Sequence, residues 1–534
     1  MFGAGAMTNS IDEIREADLL FVIGSNTTEA HPIIAMEMKR AIQRGAKLIV
    51  GDPRKIWLAR HADIHLQLRP GTDVWLLNAM AHVIVVEDLI DHDFIAEHTE
   101  NFDALRQTLL RYDPDAAEAV TGVPADLIRE AARAYATTKK AGIYYTLGIT
   151  EHTHGTENVY GLANLVLMTG HLGVRSAGMN PLRGQNNVQG ANDAGATPVF
   201  FPGYQRVGDP AVQARFEDAW GVPLNDQPGM NLNVMMKAMG SHGSIQGLYV
   251  MGEDILLSEP NATKIIEGLE GVEFLVVQDI FSTETAKYAD VILPAACFAE
   301  KDGVFTNSDR RVQRVRKAVE PPGDARADWE ILCEVARASG YPMPAYANPG
   351  EIYAEMASVS DQFAGISHPR IEAEGGLQWP CTDPDHPGTG TLHVDGPMVG
   401  RAPFQVIEYR PSDELPCPDY PLVLSTGRIL YHYNVATQTR REAGPVAKQA
   451  RNFIEMNRHD ARSHGVEDGD PVEIRSRRGA VEAAVMVSPR MRPGCVWMPL
   501  HYAESCANVL TNDAGDATTG TGEYKVCAVR ISAV

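Results

Sequence analysis

Short apolar runs alternate with amphipathic stretches through the first third of the chain. Leu19–Ile23 is an unbroken apolar run, residues 31–44 place apolar side chains at helical spacing, and residues 46–50 form a second run. This order predicts a β-α-β unit, because strands buried on both faces of a parallel sheet carry continuous apolar runs. Residues 62–68 alternate between apolar and polar, and residues 141–146 are again apolar, so two further strands are expected in the same α/β lobe.

The same alternation returns in the middle of the chain. The pattern predicts strands followed by polar loops at residues 248–251, 274–278 and 290–294. We therefore predict a second α/β lobe. Asp279 ends a strand of this lobe, as Asp52 does in the first lobe. Because ligands bind beyond the carboxyl ends of parallel strands, the two acids mark two candidate nucleotide crevices.

Beyond Tyr420 the pattern changes to short alternating strands. Residues 472–474 and 481–487 alternate on either side of Arg478-Gly479, which predicts a hairpin within a β-barrel. Residues 375–416 are rich in Gly, Pro and Asp, a composition typical of a linker. The expected domains are the first lobe at 1–185, the second lobe with its linker at 186–390, and the barrel at 391–534.

Composition and charge narrow the class of function. A length of 534 residues allows three or four domains, and 44% hydrophobic with 22% charged residues is ordinary for a globular enzyme. The net charge of −22 argues against nucleic acid or an anionic membrane surface as a partner. The longest apolar run, residues 74–86, contains Asn78 and His82 and is too short to span a bilayer, so no membrane insertion is expected.

The cysteines and histidines indicate no metal site. The seven cysteines are scattered without a C-x-x-C pair, which suits a reduced, cytoplasmic compartment and offers no closely spaced ligands for an iron–sulfur cluster. Glu151-His-Thr-His154 admits two interpretations, a metal-binding pair or a polar helix start. The helix start is favoured because no further ligands follow at a useful spacing.

The segment from Asn180 to Ala196 carries the most informative chemistry. One cation, Arg183, and one acid, Asp193, stand among carboxamides and glycines. A solvated Gly/Asn-rich turn would explain the composition. A binding segment is the alternative, because carboxamides donate and accept hydrogen bonds and are costly to bury unpaired. Arg183 favours the binding segment, since a guanidinium grips a carboxylate through two parallel hydrogen bonds.

The sequence N-P-L-R-G-Q-N-N-V-Q-G-A-N-D-A-G-A resembles the active-site segment of molybdenum- or tungsten-dependent formate dehydrogenases, members of the molybdopterin oxidoreductases. The resemblance runs along essentially the whole chain. It implies two Rossmann-like lobes and a C-terminal double-psi β-barrel around a bis-molybdopterin guanine dinucleotide with Mo or W. It further implies that Arg183 holds formate, that Gln185 lies against a pterin, and that electrons leave through the pterin to a [4Fe-4S] cluster.

The resemblance also implies a set of cofactor-binding residues. In the first lobe they follow strands or open a helix: Asn26, Glu29, Asp52, Arg54, Gly71, Asp73 and Gly148. In the second lobe they are Gly252, Glu253, Gln278, Asp279, Thr283, Asn307 and Asp328. The barrel positions expected to close over the pterins are Thr426, Arg428, Asn508, Tyr524 and Lys525. Turn or cap roles remain open for Asp52, Asn307 and Asp328, and ordinary loop roles for the barrel residues.

Some features of the resembled family are absent from this sequence. The family's N-terminal portion holds four cluster cysteines and a selenocysteine or cysteine that ligates the metal, whereas the resemblance here begins at Phe2-Gly-Ala-Gly-Ala. We therefore expect a missing N-terminal segment, electron-transfer subunits as partners, and no formate oxidation by the chain alone. A non-catalytic scaffold subunit and a relative that reduces another small oxyanion are the alternatives. The presence of Asp52, Asp279 and Arg183 argues against a scaffold.

Overall fold

A five-stranded parallel sheet forms the centre of the first lobe. The computed structural model describes residues 1–240 and 243–534. The sheet has the order β3-β2-β1-β4-β5, and its strands are β1 Leu19–Ile23, β2 Lys47–Gly51, β3 Ile64–Leu66, β4 Ala141–Tyr145 and β5 Met179–Pro181. Every residue of β1 is buried, which is the reason for its unbroken apolar run. The predicted β-α-β unit is confirmed, and the strand expected at 62–68 is shorter than predicted.

Nineteen α-helices accompany the strands in the described residues. Those before β5 are α1 Thr27–Ala30, α2 Pro32–Gln43, α3 Asp73–Val86, α4 His92–His98, α5 Phe102–Leu109, α6 Pro114–Thr121, α7 Ala125–Thr137, α8 Leu147–Thr150 and α9 Gly155–Met168. Those after β5 are α10 Val188–Asp193, α11 Pro210–Trp220, α12 Leu232–Ala238, α13 Ile255–Ser258, α14 Ala262–Gly271, α15 Asp328–Ala338, α16 Pro349–Ser358, α17 His368–Glu374, α18 Ala443–Lys448 and α19 Arg458–Ser463. The long apolar run at 74–86 is α3, which is buried along most of its length. No helix in the described part of the chain has the length and apolar character needed to cross a membrane.

A three-stranded parallel sheet, a smaller antiparallel sheet and a barrel complete the strands. The parallel sheet has the order β8-β7-β6, with β6 Gly247–Met251, β7 Phe274–Asp279 and β8 Val291–Pro294. The antiparallel sheet contains β9 Gly303–Thr306, β10 Arg311–Val315 and β11 Leu377–Gln378. Two-residue strands pair at Thr99–Glu100 with Ala402–Pro403 and at Phe200–Phe201 with Gln205–Arg206.

The C-terminal strands close into a six-stranded barrel. Its order is β12-β16-β13-β15-β14-β17, with β12 Leu422–Gly427, β13 Phe453–Met456, β14 Pro471–Arg475, β15 Ala480–Val487, β16 Cys495–Pro499 and β17 Cys527–Ala533. β12 pairs with β16 in parallel, and so does β13 with β15, while the other pairs are antiparallel. The predicted barrel and its hairpin at Arg478-Gly479 are confirmed.

The chain folds as two compact units. The first contains residues 1–182, 256–266 and 391–534, and the second contains residues 183–255 and 267–390. The boundary between the units at residues 390 and 391 falls within the predicted linker at 375–416, and apolar side chains of this segment are packed within the units. Trp379 is buried in the second unit, and Leu392 and Phe404 are buried in the first. Apolar side chains spaced between the glycines and prolines account for this packing.

Candidate cofactor and substrate sites

In the first unit, the loops after β1 and β4 lie against each other. The Gly148 N–H donates to the Gly24 carbonyl at 3.1 Å, and the Thr146 hydroxyl donates to the same oxygen at 2.7 Å. A Cβ at Gly148 would lie 2.5 Å from that oxygen. Glycine at 148 therefore permits the close approach of the two loops at the carboxyl end of the sheet.

Two of the predicted acids are buried near this sheet edge. Asp52 follows β2 and accepts the Arg54 backbone N–H at 2.8 Å, and Asp73 is the first residue of α3. Burial raises the pKa of Asp52 to about 7, against the effect of that hydrogen bond, and the charge of Asp73 raises it further. Burial also raises the pKa of Asp73. Both carboxyl groups are thus placed where a hydrogen-bond donor from a ligand would stabilise their charged form.

Arg54 lies in a different environment from the one the sequence suggested. Its guanidinium donates through Nε to Glu455 at 2.7 Å and stacks 3.9 Å above the Trp497 ring. Glu455 is fully buried and also accepts from Arg490 Nε at 2.5 Å. The Nε edge of Arg54 is therefore committed to a barrel carboxylate and not to a phosphate.

The barrel residues bind one another and the first lobe. The Thr426 N–H and hydroxyl donate to the Tyr524 carbonyl at 3.2 and 2.9 Å. Lys525 Nζ donates to the Thr426 carbonyl at 3.1 Å and forms an ion pair with Glu151 at 2.6 Å. Asn508 Nδ2 donates to the carbonyls of residues 257 and 258 at 2.8 and 3.0 Å. The amide hydrogens of Asn508 thus hold backbone.

Two other predicted residues carry buried nitrogen atoms without hydrogen-bond partners. These atoms are Nδ2 of Asn26, which follows β1, and Nε of Arg428, which follows β12. Gly71 adopts φ +79° in the turn before α3, and Glu29 lies in α1. Burial lowers the pKa of Arg54, and the charge of Glu29 partly opposes that shift. Unpaired buried donors are uncommon in folded proteins and indicate where a polar ligand would bind.

A buried cluster that the sequence did not reveal surrounds His152. Its Nε2 lies 3.9 Å from Asp73 and its Nδ1 lies 3.6 Å from Glu523. Burial acts to lower the pKa of His152, but the carboxylates of Glu523 and Asp73 outweigh it, so the pKa is raised. Burial lowers the pKa of the neighbouring His154 to about 4. His154 directly precedes α9, so the interpretation of this segment as a helix start is confirmed.

In the second unit, the predicted residues meet at the carboxyl ends of β6 and β7. Gly252 adopts φ +64°, donates its N–H to the Gln278 carbonyl at 2.8 Å, and has no atom within 4 Å of the position a Cβ would take. Gln278 is fully buried. Its side-chain oxygen Oε1 accepts from the Tyr249 hydroxyl, and its Nε2 donates to Asp328 at 2.8 Å. Asp279 is half-buried, and burial raises its pKa. Glu253 lies beside Gly252 in the same loop and is also half-buried.

The remaining predicted residues of this unit have structural contacts. Thr283 Oγ1 accepts the Ala286 N–H at 3.1 Å at the start of a 3₁₀ turn. Asn307 closes the β9–β10 hairpin, because its side chain accepts the Arg311 N–H at 3.0 Å. Asp328 begins α15 and also binds the Lys301 ammonium group. The contacts of Asn307 in this structure are therefore those of a turn residue, the alternative that the sequence left open.

The segment around Arg183 is held by side-chain hydrogen bonds. The Arg183 N–H donates to Ser308 Oγ at 3.1 Å, and its Nε donates to Gln189 Oε1 at 3.1 Å. Gln189 and Asp193 are buried in α10, while Arg183 and Gln185 are half-buried. These contacts differ from those of a solvated turn, and they leave Arg183 partly accessible.

Comparison with known proteins identifies the family. Residues 2–338 match the family described as "Molybdopterin oxidoreductase", and residues 422–528 match the "Molydopterin dinucleotide binding domain". The chain is 46% identical over 536 residues to the F420-dependent formate dehydrogenase subunit alpha of Methanocaldococcus jannaschii, covering all of this chain and 79% of the relative. It is 41% identical over 540 residues to formate dehydrogenase H of Escherichia coli, covering all of this chain and 75% of that protein.

A solved structure supports the fold independently. Acetylene hydratase from Pelobacter acetylenicus superposes with a TM-score of 0.76 over 98% of this chain and 81% of that one, at 20% identity. This likeness concerns the fold alone. Together with the family matches and the identities above, it confirms the resemblance that the Arg183 segment indicated. The chain belongs to the molybdopterin oxidoreductase family.

Proposed function

We propose that this chain is the catalytic subunit of a formate dehydrogenase, which oxidises formate to CO2 and releases two electrons and a proton. The observation that carries the proposal is Arg183, a partly accessible guanidinium whose Nε edge is held by Gln189. The formate dehydrogenases that are 41–46% identical over the whole chain support this choice of substrate.

The residues of the first unit fit a nucleotide of a bis-molybdopterin guanine dinucleotide that carries Mo or W. Asn26 Nδ2 and Arg428 Nε are buried donors without partners, which phosphate oxygens would satisfy. Asp52 would accept from a ribose hydroxyl or a guanine N–H, and either donor would stabilise its ionised form. Lys525 and Asp73 lie close enough to Asp52 to influence its pKa.

The second unit fits a second nucleotide by the same reasoning. Glu253 and Asp279 stand at the ends of β6 and β7, and the open space at Gly252 allows a ligand to approach the backbone. Gln278 and Asp328 would support these acids, since they hydrogen-bond to each other behind the strand ends. When bound, the cofactor supplies the metal centre that accepts the electrons from formate.

The contribution of this chain to the reaction is electrostatic and positional. Arg183 would bind both formate oxygens through paired N–H groups and so orient the C–H bond of the substrate. The guanidinium also offsets the field of a chain with net charge −22, which would otherwise repel a small anion. Because its Nε is fixed before the substrate arrives, little reorganisation accompanies the reaction.

The electrons require an acceptor outside this sequence. Its seven cysteines are not spaced for an iron–sulfur cluster. We therefore propose that a [4Fe-4S] cluster bound by polypeptide other than this sequence accepts the electrons. We also propose electron-transfer subunits as partners. The relatives named as α subunits support the existence of partner subunits.

The test is to purify the native complex and measure formate-dependent reduction of a viologen dye, together with its metal and guanine nucleotide content. The proposal predicts formate oxidation, one Mo or W, and two guanine nucleotides per chain. Nitrate reduction without formate oxidation would assign the chain to another oxyanion. A complex without metal or guanine nucleotide would support a scaffold subunit.

A further inference from the structure

A buried carboxylate lies behind the guanidinium of Arg183. Asp193 is 2% exposed and accepts three hydrogen bonds of 2.8 Å, from Gln189 Nε2 and the Tyr204 hydroxyl on Oδ1 and from Trp379 Nε1 on Oδ2. All three donors are neutral, and burial raises the pKa of Asp193 to about 6. A carboxylate that is costly to bury and is surrounded by neutral donors serves to orient those donors.

The hydrogen bonds around Asp193 allow the Gln189 side-chain amide only one orientation. Its Nε2 donates to Asp193 and to the Tyr204 oxygen, both at 2.8 Å, and the Tyr204 hydroxyl hydrogen is used on Asp193. A flipped amide would place its carbonyl oxygen against the Asp193 carboxylate. Gln189 must therefore turn its oxygen to Arg183 Nε, where it accepts at 3.1 Å. This contact fixes one edge of the guanidinium plane and so the direction of its Nη groups.

The outer members of the cluster are themselves held rigidly. Trp379 is fully buried and packs edge-on against Phe363, with ring centroids 5.9 Å apart. Tyr204 adopts φ +61°, in the left-handed region that a tyrosine rarely occupies. Backbone strain of this kind persists where the surroundings demand one side-chain position. Here that position brings the Tyr204 hydroxyl within hydrogen-bonding distance of both Asp193 and Gln189.

We propose that Asp193 is a positioning residue, which sets the direction of the Arg183 guanidinium through the amide of Gln189. This inference rests on the proposed function, because it assigns the arrangement a purpose in holding a small carboxylate. Asp193 itself does not touch the substrate. Its replacement by asparagine would leave the charge of Arg183 in place and change the direction from which that charge meets formate. The charges of Asp193 and Arg183 also interact directly, and this direct effect would be the same with or without the Gln189 amide.

The test is a double-mutant cycle in the native complex with the variants Asp193→Asn and Gln189→Met. The inference predicts that Asp193→Asn raises the KM for formate by at least about tenfold, since a small misplacement of a binding group has large effects. In a Gln189→Met background the same substitution should change KM by less than about twofold, because its route to Arg183 is already broken. Equal effects in both backgrounds would overturn the inference.

Two controls separate a positioning role from a loss of folding. Asp218→Asn removes an exposed acid of α11 and should leave KM unchanged. If Asp193→Asn fails to fold, Tyr204→Phe deletes one donor to Asp193, and it should raise KM in the wild-type but not in the Gln189→Met background. If Tyr204→Phe then leaves the KM for formate unchanged, the inference is overturned.

A crystal structure of Asp193→Asn, or of Tyr204→Phe, makes the test independent of the substrate. The inference predicts a guanidinium of Arg183 that is rotated away from its wild-type plane, and an unmoved guanidinium refutes it. If the wild-type complex does not oxidise formate while the guanidinium does rotate, the proposed function fails and the positioning role stands. If formate oxidation is normal in both proteins and the guanidinium is unmoved, only the positioning role fails.

Discussion

The buried ion pair between Arg54 and Glu455 makes a quantitative prediction about the first unit. Glu455 has no exposed side-chain surface, and that of Arg54 is 5% exposed. Glu455→Gln keeps the shape of the side chain but removes the charge that two guanidinium groups share, since Arg490 also donates to it. Arg54 is then left buried beneath Trp497 without its hydrogen-bonded counter-charge.

The magnitude follows from the two charge-assisted hydrogen bonds, because the glutamine oxygen can still accept from one arginine while its NH2 group faces the other. Each bond to a charged group contributes about 1.5–3 kcal/mol, and removing one partner of a buried pair costs about 3–5 kcal/mol. Arg490 is 23% exposed, so solvent screens part of its contribution. We therefore expect Glu455→Gln to destabilise the barrel by about 3–4 kcal/mol.

The assay is hydrogen exchange at the amides of β13, which report the local opening free energy of the barrel. The matched control is Glu473→Gln on β14, whose partner Arg475 is exposed and whose ion pair is screened by solvent, so little change is expected. If Glu455→Gln and Glu473→Gln exchange at the same rate at β13, the pair does not stabilise the barrel.

Two further predictions concern the carboxyl end of the first sheet. Because burial raises the pKa of Asp52 to about 7, the folded chain retains this proton better than the unfolded chain, and stability falls as pH rises from about 4 towards 7. Asp52→Asn should therefore stabilise the cofactor-free chain at pH 8 by about 2–4 kcal/mol in urea titrations, and unchanged stability would contradict the assignment of burial as the cause. In the complex purified with its cofactor, the same substitution should lower the guanine nucleotide content. Gly148→Ala should destabilise the first unit by about 1–3 kcal/mol, because the new Cβ meets the Gly24 backbone. Gly444→Ala, with open space around the Cβ position, is its control in the same measurement, and equal midpoints for the two variants would show that the loops can separate without cost.

Local pattern was sufficient to predict β1 to β4 of the first lobe and β6 to β8 of the second, but not β5 or the small antiparallel sheet. The runs at β1 and β2 are apolar because both faces are buried, whereas β7 is apolar although Phe274 at its start is exposed. Alternation at β14 and β15 reflects one face turned to the barrel interior. The composition of residues 375–416 predicted a linker but did not show that Trp379 within it is buried. Glycine and proline counts describe backbone freedom and not the packing of the apolar residues between them.

The candidate site was predictable only where its residues are close in sequence. Arg183, Gln189 and Asp193 stand within one segment, and the spacing of Gln189 and Asp193 is that of one helix turn. Trp379 is 186 residues from Asp193, Glu455 is 401 from Arg54, and Glu523 is 371 from His152. Tertiary structure alone brings such pairs together, and no local signal identifies them.

The most direct test of the central claim is the formate kinetics of Arg183→Lys in the native complex. Lysine keeps the charge but loses the planar fork that binds two oxygens. The account predicts that kcat/KM for formate falls by roughly 10- to 100-fold, which corresponds to about 1.5–3 kcal/mol for a hydrogen bond to a charged group, with metal content unchanged. Arg215→Lys, at an exposed arginine of α11, should behave as the wild type. A kcat/KM for Arg183→Lys equal to that of Arg215→Lys would contradict the account.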